Sequence, residues 1–137
     1  MGQQQLLLII LGVIIVGIAV AVGITMFQDN AVSSNRDAIT ADMLHLAAKA
    51  RHYYFRPTSM SGGGHSFTGL TADAAGMLKL VNTNFSDNAN GAYSITTAGD
   101  NTSVVFLGTG KTALSDGLFP SIEVTVTSSG HTINILN

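Results

Sequence analysis

From Leu6 to Phe27 the chain reads LLLIILGVIIVGIAVAVGITMF, without a charge and with only glycines and one threonine among the apolar side chains. As a helix this run is about 33 Å long, enough to cross a bilayer core of about 30 Å. The helix of a small soluble domain is apolar on one face. This one is apolar all round and has to meet lipid or other chains on every side. That demand governs the functional reading of everything that follows it.

Composition agrees once the chain is divided at this point. The chain is 46% hydrophobic, but the excess sits in the first 27 residues and the rest is rich in Gly, Ser, Thr and Asn. The remaining residues, roughly 110, suffice for one small domain with a modest core. Six Lys and Arg residues against a net charge of −2 give no basic field for nucleic acid, so no specific nucleic-acid partner is expected. With no cysteine the fold is held by packing alone.

The polar, uncharged stretch Met1-Gly2-Gln3-Gln4-Gln5 precedes the apolar run. A secretory signal peptide has a basic start, an apolar core of about 7 to 15 residues and a small-residue cleavage site, and none of these fits. An ordinary single-pass anchor carries Lys or Arg on its cytoplasmic flank, whereas here the α-amine is the one positive charge before Asp29.

MGQQQLLLIILGVIIVGIAVAVGITMF resembles, in length, position and glycine content, the mature N-terminus of type IV pilins and of their relatives, the pseudopilins of type II secretion. The resemblance implies a basic leader removed ahead of Met1, a first residue open to methylation, and one long helix that serves as membrane span and then as filament core. With Met1 as mature first residue, Gln5 stands where the family usually has glutamate. There the family carboxylate is thought to meet a neighbour's N-terminal amine. Gln5 can accept a hydrogen bond but cannot neutralise a charge. Cleavage after Gly2 would put Leu7 at that site, again without the acid. The family's mid-helix proline is missing too. Gly12, Gly17 and Gly23, each costing about 1 kcal/mol of helix stability relative to Ala, are the positions where its role can fall. Gly17 with Ala21, and Ala19 with Gly23, are small residues four apart, a spacing that lets helix backbones approach closely. In the filament reading Leu6, Leu7, Ile10, Gly12, Ile14, Gly17, Ala19, Ala21, Gly23 and Phe27 pack the core.

Past Phe27 apolar residues recur at Val32, Ile39, Met43, Leu46, Ala47, Ala50 and Tyr54, the spacing of an amphipathic helix over residues 29–55. Asp29, Asp37 and Asp42 precede Lys49, Arg51 and Arg56, an order that complements the helix dipole. Pro57 disfavours helix at Arg56. No proline lies before Pro57, so residues 3–55 can form one rod of about 80 Å. Asp29-Asn30 or Ser33-Ser34 capping a separate second helix is the alternative.

Residues 58–91 read as a connecting loop. Gly62-Gly63-Gly64 and the Ser, Asn and Asp content argue against regular structure, with one helical turn expected within 72–80, capped by Thr71 or Asp73. The glycine triplet lacks the pattern and strand-to-helix context of a phosphate loop. The Asn/Asp-rich stretch 82–90 resembles the place of a calcium loop in major pseudopilins, but EF-hand spacing fails at Ala89, and a solvated loop is the better reading.

From residue 92 the period switches to two. AYSITTA, TSVVFLG, SIEVTVT and HTINILN are four strands, and residues 97–101 and 128–130 carry the turns of two antiparallel hairpins. Tyr93, Ile95 and Thr97 share one face, as do Ile122, Val124 and Val126, and Ile133 and Ile135. The stripe Ile39, Met43, Leu46 and Ala50 is the expected cover. The predicted fold is α+β: a long rod on a four-stranded antiparallel sheet, with residues 1–28 protruding and 29–137 as the head. The C-terminal disulfide often found in the family is absent, leaving edge pairing and packing of Ile133 to Leu136 to hold that end.

Enzyme chemistry finds little support. His45 and His52 lie seven apart rather than at the spacing of a helical zinc pair, and no GxSxG elbow is present. Tyr53-Tyr54-Phe55 invites a thought of electron conduction, but aromatic rings at a helix-to-domain junction more often pack. The expectation is a structural subunit without active site, cofactor or metal. Its partners are further copies of itself in a helical filament, inner-membrane lipid before assembly, and the pilus assembly machinery. Its place is an extracellular filament fed from an inner-membrane pool. A pseudopilin and a single-pass anchored binding domain are the rival readings.

Overall fold

In a computed structural model of the chain, residues 2–137 are described; Met1 lies outside them. One helix, α1, runs from Gly2–Phe55 without interruption. At 54 residues it is about 80 Å long. The expected boundary near residue 28 is therefore a change of surroundings, not of backbone, and neither Asp29-Asn30 nor Ser33-Ser34 starts a second helix. The one hydroxyl in the apolar run is satisfied inside the helix, where Thr25 Oγ1 donates to Val22 O at 2.8 Å.

The rod ends where its sequence stops supporting it, and the glycine triplet caps it. The last carbonyls of a helix have no partner within the helix. Here Gly63 N donates to Tyr53 O (2.8 Å), His65 N to Tyr54 O (2.7 Å) and Gly64 N to Arg56 O (3.0 Å). A side chain has no room in this turn. A Cβ on Gly62 would stand 2.2 Å from Arg56 O, and one on Gly63 1.8 Å from Ser66 O. The triplet, expected as irregular loop, is the closure of the rod.

The connecting segment is more structured than expected. A 3₁₀ turn covers Thr58–Met60, α2 covers Ala74–Leu78 with Asp73 as its cap, and α3 covers Thr83–Ser86 capped by Asn82. The turn expected within 72–80 is α2. The other two were not anticipated, because single turns held by one cap leave no periodicity to read.

The sheet is an antiparallel meander, β1 (Gly91–Thr97), β2 (Ser103–Gly110), β3 (Ser121–Thr127) and β4 (His131–Ile135), in that spatial order. Asp100 closes the first hairpin by accepting Thr102 N (2.6 Å) and Ser103 N (2.7 Å) on one carboxylate oxygen. Val104 and Phe106 on β2, with Ile122, Val124 and Val126 on β3, are fully buried beneath Ile39, Met43, Leu46 and Ala50, which are fully buried too. The rod packs over these two middle strands, and α2 and α3 pack against β1.

Three expectations about packing fail in detail. Tyr53, not Tyr54, is the buried aromatic at the end of the stripe; Tyr54 is half-buried against Phe67, with ring centroids 4.8 Å apart. Thr97 does not share the inward face of Tyr93 and Ile95, because a bulge between Ile95 and Thr97 turns it to solvent. Ile133 and Ile135 pair with Val124 and Ile122 and so lie on the rod-facing side, yet all of β4 is exposed. The rod crosses β2 and β3 and does not reach the fourth strand. The C-terminus is held by ladder bonds, by Leu136 N to Ser121 O (2.9 Å) and by Asn137 Nδ2 to Phe119 O (3.1 Å), not by packing.

Candidate assembly surface

Every residue from Gly2 to Phe27 is exposed, including Leu6, Leu7, Ile10 and Ile14, and Phe27 at 77% is the most exposed large apolar side chain of the set. Buried apolar surface is worth about 25 cal/mol per Å², so an uncovered cylinder of this kind is stable in an apolar surrounding and not in water. Gln5 is exposed on the same helix. Met1, the expected site of processing and assembly, lies outside the described residues.

The glycines of this cylinder answer to nothing in the chain itself. A Cβ at Gly12, Gly17 or Gly23 would meet no atom within 4 Å. Their helix penalty therefore has no compensating contact within the chain. At 100° per residue, Gln5, Gly12, Ala19 and Gly23 fall on one face, roughly opposite the sheet-facing stripe at Ile39 and Met43, while Gly17 and Ala21 fall on the sheet side. The two small pairs read from the sequence thus lie on opposite sides of the rod. The outer face continues through Asn30, Ser34, Ala41 and Ala48, all exposed. Those four residues were not singled out from the sequence. Continuing the spacing of sevens and fours beyond Gly23 would have found them.

Above this surface the head is locked to the rod at Asp42. Its Oδ2 accepts from Tyr93 OH (2.6 Å), Asn88 Nδ2 (3.0 Å) and Asn90 Nδ2 (3.0 Å). Burial works against ionisation of Asp42, but the three hydrogen bonds and the nearby His45 outweigh it, and the carboxyl is held below its usual range. Burial, and then the Asp42 carboxylate, push the Tyr93 phenol far above its usual range, so it remains a donor. From the other side Asn35 Nδ2 donates to Asn90 O at 2.8 Å. The Asn/Asp-rich stretch 82–90 is thereby committed internally: Asn82 caps α3, Asn88 Oδ1 takes the N–H groups of Asn90 and Gly91, and Asp87 pairs with Lys111 at 2.6 Å. Among the described residues no group of three or more His, Asp or Glu could hold a metal ion.

The remaining candidates are placed apart. The N–H groups of Gly63 and Gly64 point at carbonyls of the rod and leave no cradle for phosphate. His45 stacks on Phe85 at 5.1 Å, away from His52. The aromatic cluster Tyr54, Phe55, His65 and Phe67 fastens the end of the rod to the following loop, with Phe27 about 40 Å below along the helix.

No family model, curated protein or solved structure matches the chain. The fold and the exposed rod therefore carry the functional reading alone.

Proposed function

We propose that the chain is the structural subunit of a helical filament of the type IV pilus kind, polymerised through residues 6–27 of its rod. The observation that carries this reading is the uncovered apolar half of α1, with Gly12, Gly17 and Gly23 opening onto empty space in a helix continuous with the head. A membrane anchor needs apolar length, which many side chains supply. Glycines on both sides of the cylinder serve close approach of other backbones.

In this reading the subunit waits in the inner membrane on residues 6–27 and is then drawn into a bundle of rods. Moving those side chains from lipid to protein changes little in hydrophobic free energy, because both surroundings are apolar. An external motor can then drive subunits in or out. The sheet and the connecting segment face outward and meet the surroundings, and the role of the subunit is mechanical rather than catalytic.

The test is to shear cells, pellet what is released and image it by electron microscopy, with mass spectrometry of the N-terminal peptide. Long thin fibres built of this chain support the filament. A chain that stays in the membrane fraction and never polymerises overturns it and leaves the anchored binding domain. Polymers confined to the periplasm point to the pseudopilin.

A further inference from the structure

At the far end of the rod a cavity of about 130 Å³ is lined by Lys49, His52, Tyr53, Arg56, Lys79 and Leu80. Three of the chain's six Lys and Arg residues meet there beside a histidine, and no carboxylate lines it. Lys49, His52 and Arg56 are three, four and seven apart, so one face of the rod and its end present them together. Lys79 arrives from a different element, directly after α2. Cations near a helix C-terminus complement the dipole, which accounts for Lys49 and Arg56 but not for Lys79.

Like charges brought together repel unless something negative sits between them. The one ion pair among the described residues, Lys111 with Asp87, is elsewhere. Asp73, the acid closest in sequence to Lys79 and within Coulombic reach of it, caps α2, where Oδ1 accepts from Thr71 Oγ1 and Gly76 N, and does not line the cavity. Lys79 Nζ and Arg56 Nη2 are held in place by the carbonyls of Gly69 and Ser61, each leaving further N–H groups free. Arg56 Nε is buried without a partner; of the three arginines in that condition, Arg36, Arg51 and Arg56, only Arg56 lines this cavity. The rod carbonyls that would oppose an anion here are already taken by Gly63, Gly64 and His65.

We infer that this cavity binds a single tetrahedral oxyanion, a phosphate or sulfate group, with Arg56, Lys79 and Lys49 as its cationic walls. The volume admits one such group. The headgroups of the membrane that holds residues 6–27 are not the source, since Lys49 to Arg56 stand roughly 30 to 45 Å beyond Phe27 along the helix. The group therefore comes from solution or as an ester on a polymer outside the cell membrane. This goes beyond the filament reading and does not depend on it.

The experiment uses the full chain dispersed in neutral detergent micelles, titrated with sodium phosphate and with sodium sulfate at an ionic strength balanced by chloride, and followed by the NMR signals of backbone amides and the His52 ring. Saturable shifts centred on Lys49, His52, Tyr53, Arg56 and Lys79 are expected. Lys79→Gln should weaken the binding about tenfold, as loss of one charge-assisted contact does. Lys49→Gln, which removes no recorded hydrogen bond, should weaken it with the fold intact. Dextran sulfate, with neutral dextran as control, competes for the same signals if esters are accepted and does not if only the free ion enters. No saturable shift with either anion, an equal response to chloride, or unchanged affinity in both variants overturns the proposal. Because the subunits are dispersed, the result is independent of whether fibres form.

Discussion

The Tyr93 hydroxyl donates a 2.6 Å hydrogen bond to Oδ2 of Asp42, and this single oxygen ties the first strand of the sheet to the head-bearing half of the rod. Asn88 and Asn90 donate to the same atom, so the connecting segment, the sheet and the helix are fastened at one point. Removing the acceptor leaves three donors unsatisfied, each partly shielded from water.

Asp42→Ala should therefore cost the head about 1–3 kcal/mol, measured by denaturant unfolding with the sheet signal as readout. The pH dependence has a definite sign. Asp42 is held below its unfolded value of about 3.9, so its stabilisation is complete above that value and is lost as pH falls through the folded one. In Asp42→Asn the acid limb of the stability profile should be shallower than in the parent. Identical acid limbs in the two proteins would remove Asp42 from the account.

The rod can lie close on β2 because Gly108 offers no side chain. A Cβ there would stand 2.9 Å from Ile39 Cγ2, 3.0 Å from Met43 Sδ and 3.1 Å from Tyr93 Cδ1. Gly108→Ala should push the rod off the strand and destabilise the head by about 1–3 kcal/mol. Gly130→Ala, where a Cβ meets nothing within 4 Å, serves as the neutral control. Equal melting temperatures for the two variants would contradict the packing described.

Both halves of this contact bear on how much the sequence discloses. The stripe at Ile39, Met43, Leu46 and Ala50 was legible because helical periodicity states which face is apolar. The strands were legible because period two and turn residues bound them. The seating at Gly108 and the capping by Gly62 to Gly64 were not, because a glycine's role there is set by an atom far away in sequence or across a turn. Asp42 was legible only as part of the order of charges along the helix, and its anchoring role was not, for the same reason: its partners lie 46 to 51 residues on. The exposed β4 was misjudged because alternation reports which side a residue faces, not whether a cover reaches it. The exposed rod, by contrast, was fully legible, since a run apolar on all faces cannot be covered by so small a head.

The uncovered fourth strand makes a quantitative contrast. Ile135 is 61% exposed, whereas Val124, on the neighbouring strand and the same face, is fully buried. Ile135→Ser should change the stability of the dispersed chain by less than about 0.5 kcal/mol. Val124→Ala removes buried methyl groups and should cost about 1–3 kcal/mol. The check is the difference in denaturation midpoint. A loss at Ile135 as large as that at Val124 would mean that β4 is covered.

Gln5 sits exposed on the rod, with a neutral amide where the resembling families usually carry an acid. Gln5→Glu restores that acid and adds no bulk, so if the chain polymerises as proposed, chains bearing it should still form fibres, counted by electron microscopy of sheared material. Complete loss of fibres in Gln5→Glu would show that the surroundings of this position in the polymer are matched to a neutral side chain.

The filament reading makes its sharpest demand on the glycines. Within the subunit nothing stands within 4 Å of a Cβ at Gly17 or Gly23, and leucine is a far better helix former than glycine. Gly17→Leu and Gly23→Leu should therefore leave the rod helical, the head folded and membrane insertion intact. If rods pack against rods, the added side chains hold backbones apart on two faces about 120° from each other around the cylinder, and each substitution alone should abolish fibres. The two readouts are membrane fractionation and electron microscopy of the same cells. Normal fibres from both variants would place the close contacts elsewhere on the rod, while loss of membrane insertion would assign the glycines to the span itself.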